Sequence, residues 1–173
     1  MSDPGASAPP LGDWLDVSRT LGVALEGLTE DELNLRGGPD GWTVRETVHH
    51  VVESSLAAGT IAVAAVGSGG CTFDCSWLNP DRSWVERMGY RGAVAPAVGV
   101  LSPLCRYLGA LLGAAPDALR REVTLLGAPG TEPYRMTVGE MIRAEVEHVR
   151  HHLRGIEETL TQSPRGRAGA PHE

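Results

Sequence analysis

Two stretches of the chain open in the same way. "TVRE" at 43–46 and "TVGE" at 137–140 each precede a long hydrophobic pattern of helical period. Thr followed three residues later by Glu is a capping box: the hydroxyl accepts an orphan amide of the first turn, and the carboxylate reaches back to the amide of the Thr. Each box therefore fixes the start of a long helix. One helix is predicted from Thr43 to about Val66, where "GSGG" stops it. The other is predicted from Thr137 to about Thr161, ahead of Pro164.

Two further helical patterns complete the count. Trp14, Val17, Leu21, Leu25 and Leu28 repeat at helical spacing between about Leu11 and Leu28, and Thr29 to Leu33 adds a short turn. "APAVGVLSPLCRYLGALLG" predicts a helix over roughly Ala95–Leu112, kinked or delayed at its start by Pro103. No convincing strand alternation is found. The expected fold is all-α, a four-helix bundle with a long connection between the second and third helices. That connection includes "LNPDRSWVERMGYRG", irregular apart from a short helix around Trp84. Residues 11–162 form the one expected domain. Residues 1–10 and 163–173, rich in Pro, Gly, Ala, Ser and Arg, read as flexible ends.

A chain of 173 residues can bury one core. Its net charge of −7 argues against a general nucleic-acid or anionic-membrane surface. The start "MSDPGASAPP" lacks the basic and apolar regions of a signal peptide, and no run of some 18 apolar residues is present. A cytoplasmic protein is expected. Cys71, Cys75 and Cys105 are odd in number, and a reducing compartment disfavours a disulfide framework. Cys71 and Cys75, in "GSGGCTFDCSW", read as free thiols in a loop, since C-x₃-C is a poor zinc spacing without further Cys nearby.

Five of the six histidines fall in two places: His49 and His50 on the second helix, and His148, His151 and His152 on the fourth. On a helical wheel the fourth helix buries Val138, Ile142, Val146, Val149, Leu153, Ile156 and Leu160. His151 falls on the solvent face. His148 and His152 fall at the edge of the core stripe beside Met141 and Glu145, one turn apart. An i, i+4 pair of imidazoles can chelate one ion, but two ligands bind weakly, so a third must come from another helix. His49 and His50 are the remaining candidates. The wheel does not separate them well, although His50 shares its face with the small residues Thr47, Ser54 and Ala57 and with Ile61, which leaves room for a pocket.

At these residues the chain resembles the DinB superfamily, and within it the YfiT-like branch of metal-dependent hydrolases and thiol S-transferases. "GGPDGWTVRETVHHVVES" resembles the family's W-[ST]-V-x-[EQ]-x-[LVI]-x-H pattern, whose histidine falls on His50, eight residues after Trp42. "MTVGEMIRAEVEHVRHHLRGI" resembles the closing H-x₃-H, which falls on His148 and His152. The resemblance covers roughly residues 11–161. It implies a four-helix bundle, often a homodimer, with a divalent metal (zinc, nickel, iron or manganese) held by His50, His148 and His152. It also implies a low-molecular-weight thiol and a small-molecule electrophile as reactants. Thiol-dependent isomerases and metal-dependent hydrolases belong to the same superfamily, and a non-catalytic metal or ligand carrier is the alternative. The basic residues are all Arg, and Gly and Ala are abundant, a GC-rich coding signature that favours mycothiol over bacillithiol. Glu145, one turn before His148, is expected to orient an imidazole or act as a base. Trp84, Tyr90 and Arg91 are expected to line the substrate pocket.

Overall fold

The computed structural model of the chain describes residues 10–37, 41–78 and 82–162. The ends read from sequence as flexible lie outside the described residues, except for Pro10, which opens the first helix. In chain order the elements are α1 (Pro10–Ala24), α2 (Glu30–Leu33), β1 (Arg36–Gly37), β2 (Trp42–Thr43), α3 (Val44–Ser68), β3 (Cys71–Asp74), α4 (Arg82–Arg87), α5 (Val94–Ala114), a 3₁₀ turn (Ala118–Arg120), β4 (Glu122–Leu126), β5 (Tyr134–Thr137) and α6 (Val138–Thr161).

The four long helices form the bundle. α1 packs against α5 and α6, and α3 packs against the same two, so α1 and α3 occupy diagonal corners. α3 and α5 approach closely at Gly59, where an added Cβ would collide with Leu108 Cδ1. The core takes the predicted faces of α1 (Trp14, Val17 and Leu21) and α6 (Val138, Ile142, Val146, Val149, Leu153 and Ile156), together with Val48 and Val51 of α3 and Leu101 and Leu108 of α5. α5 begins at Val94 and runs through Pro103, so the proline does not delay its start.

Both predicted capping boxes are formed. The Thr43 and Thr137 hydroxyls accept from the amides of Glu46 and Glu140, at 3.1 and 3.2 Å, and both carboxylates return to the Thr amides. Thr29 makes a third box with Glu32 at the start of α2. At the other end of α3, Gly69 takes the left-handed conformation (φ 76°) that stops the helix, as the glycine run requires.

The expectation of no strands is corrected. β3 pairs in parallel with β4, and β4 pairs antiparallel with β5, in a three-stranded sheet that links the end of α3 to the start of α6. β1 and β2 make a second, two-residue ladder. The alternation is present in "CTFD", where Cys71 and Phe73 face inward and Thr72 and Asp74 outward. β4 and β5 do not alternate cleanly, and each strand spans only four or five residues, too short to stand out from the surrounding helical periods. Cys71 and Cys75 are therefore not two thiols in one loop. They lie four residues apart along extended chain, about 13 Å at strand rise, beyond the reach of a disulfide between them.

α3 and α5 are also long and apolar enough to cross a membrane. Counting unbroken apolar runs misses this, because Glu53, Ser54 and Ser55 interrupt α3. In the fold both helices give one face to the bundle core.

Thr43→Ala and Thr137→Ala are each expected to lower stability by about 1 kcal/mol. Urea denaturation measures this; two variants with wild-type midpoints would show that the caps contribute nothing.

Candidate metal centre

α3 and α6 pack side by side, and their facing turns bring three imidazoles together. His148 Nε2 lies 3.0 Å from His50 Nε2 and 3.0 Å from His152 Nε2. The ring centroids are 4.6–5.0 Å apart. Each of the three histidines offers a nitrogen within 4.8 Å of the others. The i, i+4 register on α6 supplies two of them, and one helix crossing supplies the third. His49, one residue from His50, turns to the Gly92 carbonyl at 3.2 Å and stacks on Tyr90. His151 is exposed.

The donor set fits a cation. Two nitrogens bound to one ion at about 2.1 Å, with angles of 90–109°, stand about 3.0–3.4 Å apart. Burial, with the neighbouring His148 and His152, lowers the His50 pKa to about 3. Burial, with His148 and His151, lowers that of His152 to about 4. Both rings are therefore neutral near pH 7, the form in which an imidazole binds metal. When Nδ1 of His50 and His148 carry the ring protons, both Nε2 lone pairs point into the same small space, where a positive charge would satisfy them.

The outward nitrogens meet carboxylates. Glu145 Oε2 lies 3.4 Å from His148 Nδ1, and Glu53 Oε2 lies 3.7 Å from His50 Nδ1. Glu145 is buried, and its other oxygen accepts from the hydroxyls of Ser54 and Ser55 at 2.8 and 2.7 Å. Glu53 accepts from the Tyr90 hydroxyl at 3.4 Å. Burial pushes the Glu53 carboxyl up; the Tyr90 bond opposes this, and nearby Glu145 adds to it. Burial and Glu53 push the Tyr90 phenol well above its ordinary value, so it remains a proton donor. Among the described residues, His50 Nδ1 and Glu53 Oε1 are buried without a hydrogen-bond partner.

Aromatic rings fix the imidazoles. Trp42 meets His50 edge-on at 5.0 Å and lies parallel to His152 at 6.4 Å. Trp84 meets His50 edge-on from the far side and packs against Tyr90. Both indoles are placed through Glu46, a buried carboxylate on the first turn of α3. It caps Thr43, next to Trp42, and takes both Nη atoms of Arg82, two residues before Trp84, at 2.9 and 2.7 Å. Burial alone would raise the Glu46 pKa, but Arg82 and the Thr43 amide together hold it below the ordinary value.

A cavity of about 320 Å³ opens beside the imidazoles. His50, His148, Glu53 and Glu145 line one end of it, and Trp84 is on its wall. Tyr90 stands behind Glu53. Arg91 corrects the expectation made for it: its side chain is 73% exposed and pairs with Glu86, because the turn after α4 directs it to solvent. The sequence reading did not single out Glu53, Ser54 and Ser55 as site residues. Their spacing from His50 placed them one turn along the same helix, but nothing in that spacing identified Tyr90 as the donor to Glu53 or Glu145 on α6 as the acceptor of both serines.

Residues 16–156 match the family model of the DinB superfamily. The fold is similar to that of YfiT from Bacillus subtilis, described as a probable metal-dependent hydrolase with an unusual four-helix bundle topology. The TM-score is 0.74 and the identity 21%, over 98% of this chain and 95% of that one. No curated relative matches the chain.

Glu145→Ala is expected to destabilise the protein by about 1–3 kcal/mol, because two serine hydroxyls lose their shared acceptor inside the bundle. Glu145→Gln keeps an acceptor oxygen and should cost less. Equal urea midpoints for Glu145→Ala and wild type would contradict this account of the pair of serines.

Proposed function

The chain belongs to the DinB superfamily, and on that footing we propose that it is a metal-dependent enzyme whose ion is held by His50, His148 and His152. We propose further that it transfers a low-molecular-weight thiol, of the mycothiol kind, to a small electrophile. The observation that carries this reading is the convergence of three Nε2 atoms, two of whose rings, His50 and His148, line a cavity. A closed structural zinc site takes four protein ligands, whereas three leave positions for a reactant. The donors do not choose among zinc, nickel, iron and manganese.

When bound, the ion supplies a fixed positive charge that lowers the pKa of a coordinated thiol or water toward neutrality. The protein supplies the rest. Glu145 orients the His148 ring through Nδ1 and raises its basicity as a ligand, and Glu53 places a carboxylate 3.7 Å from Nδ1 of His50. The thiol proton leaves to solvent, either directly or by way of the Glu53 carboxylate. The sulfur then forms a bond to the electrophilic carbon, and the leaving group departs with its electron pair. No oxidant or reductant is needed.

The protein's own thiols fit this chemistry poorly. Burial raises the pKa of Cys71, burial and Asp74 raise that of Cys75, and burial takes Cys105 up to about 11. All three are thiols rather than thiolates near pH 7, and so weak nucleophiles. The second reading is hydrolysis, with water in place of the thiol; the description of YfiT favours it. We also place the protein in the cytoplasm, as a homodimer. The apolar side chains that α3 and α5 leave exposed, among them Leu56, Val63, Tyr107 and Leu111, support the dimer; light scattering reads the mass directly, and a monomer would refute it.

His152→Ala is expected to weaken zinc binding by more than about 100-fold, beyond the 10–100-fold typical of residues behind the ligands, and to abolish thiol turnover while the helices remain. Glu145→Gln should fall within that 10–100-fold range. Replacing all three cysteines by serine should leave turnover in place; a folded, zinc-binding but inactive triple variant would identify a protein thiol as the nucleophile. If the metal-loaded protein consumes no thiol with a broad panel of electrophiles, thiol transfer is refuted. Ester cleavage without thiol would then support hydrolysis, and no turnover at all would support a metal or ligand carrier.

A further inference from the structure

The cavity beside the imidazoles has two unlike ends. Its polar end carries His50, His148 and the carboxylates Glu53 and Glu145. Away from that end the α3 face continues as Ala57 and Ile61, the α6 face offers Met141 and Ala144, and the sheet closes the wall with Leu125 and Met136. Among the described residues no Arg lines it. Arg135 and Arg143, next in the chain to Met136 and Ala144, are exposed and do not line it, while Arg82 is committed to Glu46, and Arg45 to Glu30 and the Gly92 carbonyl. An acidic or phosphorylated substrate entering here would lose its water, find no cation on the apolar wall, and face two carboxylates at the polar end.

We propose that this cavity takes an uncharged, largely apolar electrophile, lying along Ala57 and Ile61 with its reacting atom at the imidazole end. Ala57 and Ala144 set how large a group fits. The assignment deepens the enzyme reading above and rests on it for the reaction, but not for binding. A volume of about 320 Å³ is at the small end for ligand pockets. Lengthening either alanine side chain removes a sizeable part of it. Ala57 is half-buried and Ala144 is exposed at the mouth, so Ala144→Leu can fill space without disturbing the core.

The test uses indole and indole-3-carboxylate, which share a ring system and differ in charge, titrated calorimetrically into metal-stripped and zinc-loaded protein. The stripped form is needed because a carboxylate can bind the ion itself. Indole is expected to bind both forms, and indole-3-carboxylate to bind the stripped form at least about tenfold more weakly, as burial of an unpaired carboxylate requires. Ala57→Leu and Ala144→Leu should each weaken indole while keeping wild-type circular dichroism and zinc stoichiometry. Carboxylate binding as tight as indole in the stripped protein would overturn the proposal. So would wild-type indole affinity in Ala144→Leu together with a folded Ala57→Leu. If zinc fails to bind while the indole pattern appears, the metal reading falls and the cavity assignment stands.

Discussion

The carboxylate of Glu46, 2% exposed, ties together parts of the chain that are far apart in sequence. It closes the first turn of α3 through Thr43, holds the guanidinium of Arg82 with both oxygens, and lies 3.6 Å from Arg36. Each tie places a piece of the site. Thr43 follows Trp42, Arg82 opens the short helix that carries Trp84, and Arg36 belongs to the ladder that brings Trp42 over α6. Removing a charge from water is costly unless it is paired and hydrogen-bonded, and Glu46 is both. Its lowered pKa means that the stabilisation is present above the unfolded-state value and is lost as pH falls through the folded-state value.

A second buried carboxylate does comparable work at the bundle centre. Glu145 joins α6 to α3 through Ser54 and Ser55, and the same side chain faces His148. The hydrogen bonds that set the register of two helices also orient an imidazole. Helix packing and site geometry are one problem here. A shift of α6 by one residue would move His148 and His152 off the seam and leave two serines and a glutamate without partners inside the core.

Much of this is legible in the sequence, for definite physical reasons. The two capping boxes mark helix starts because backbone amides at a helix end need acceptors nearby in the chain. The α6 wheel separates His148 and His152 from His151 because a helix that is apolar on one side has a definite inward edge. The periodicity of α3 does not separate His49 from His50, because both flank the apolar stripe; the structure separates them by giving His49 to Gly92 and Tyr90. The three-stranded sheet escapes the reading, since its strands span four or five residues and its order β3-β4-β5 joins segments some fifty residues apart. The pairing of Glu145 with Ser54 and Ser55 escapes it for the same reason. Spacing describes one helix at a time, and the Glu145–serine contacts depend on how two helices meet.

The hidden sheet also divides the labour of the site. The imidazoles, the carboxylates behind them and the serines sit on α3 and α6, long helices held along their length by the bundle core. Cys75, Leu78, Leu125 and Met136, which close the cavity, sit on or beside short strands whose ladders run only four residues. A strand of that length alternates its side chains between two faces, so one substitution changes the wall without touching the imidazoles. Chemistry fixed by the helices and fit set by the strands are thus separable in this fold. The wall can change shape while His50 Nε2 and His152 Nε2 each stay 3.0 Å from His148 Nε2.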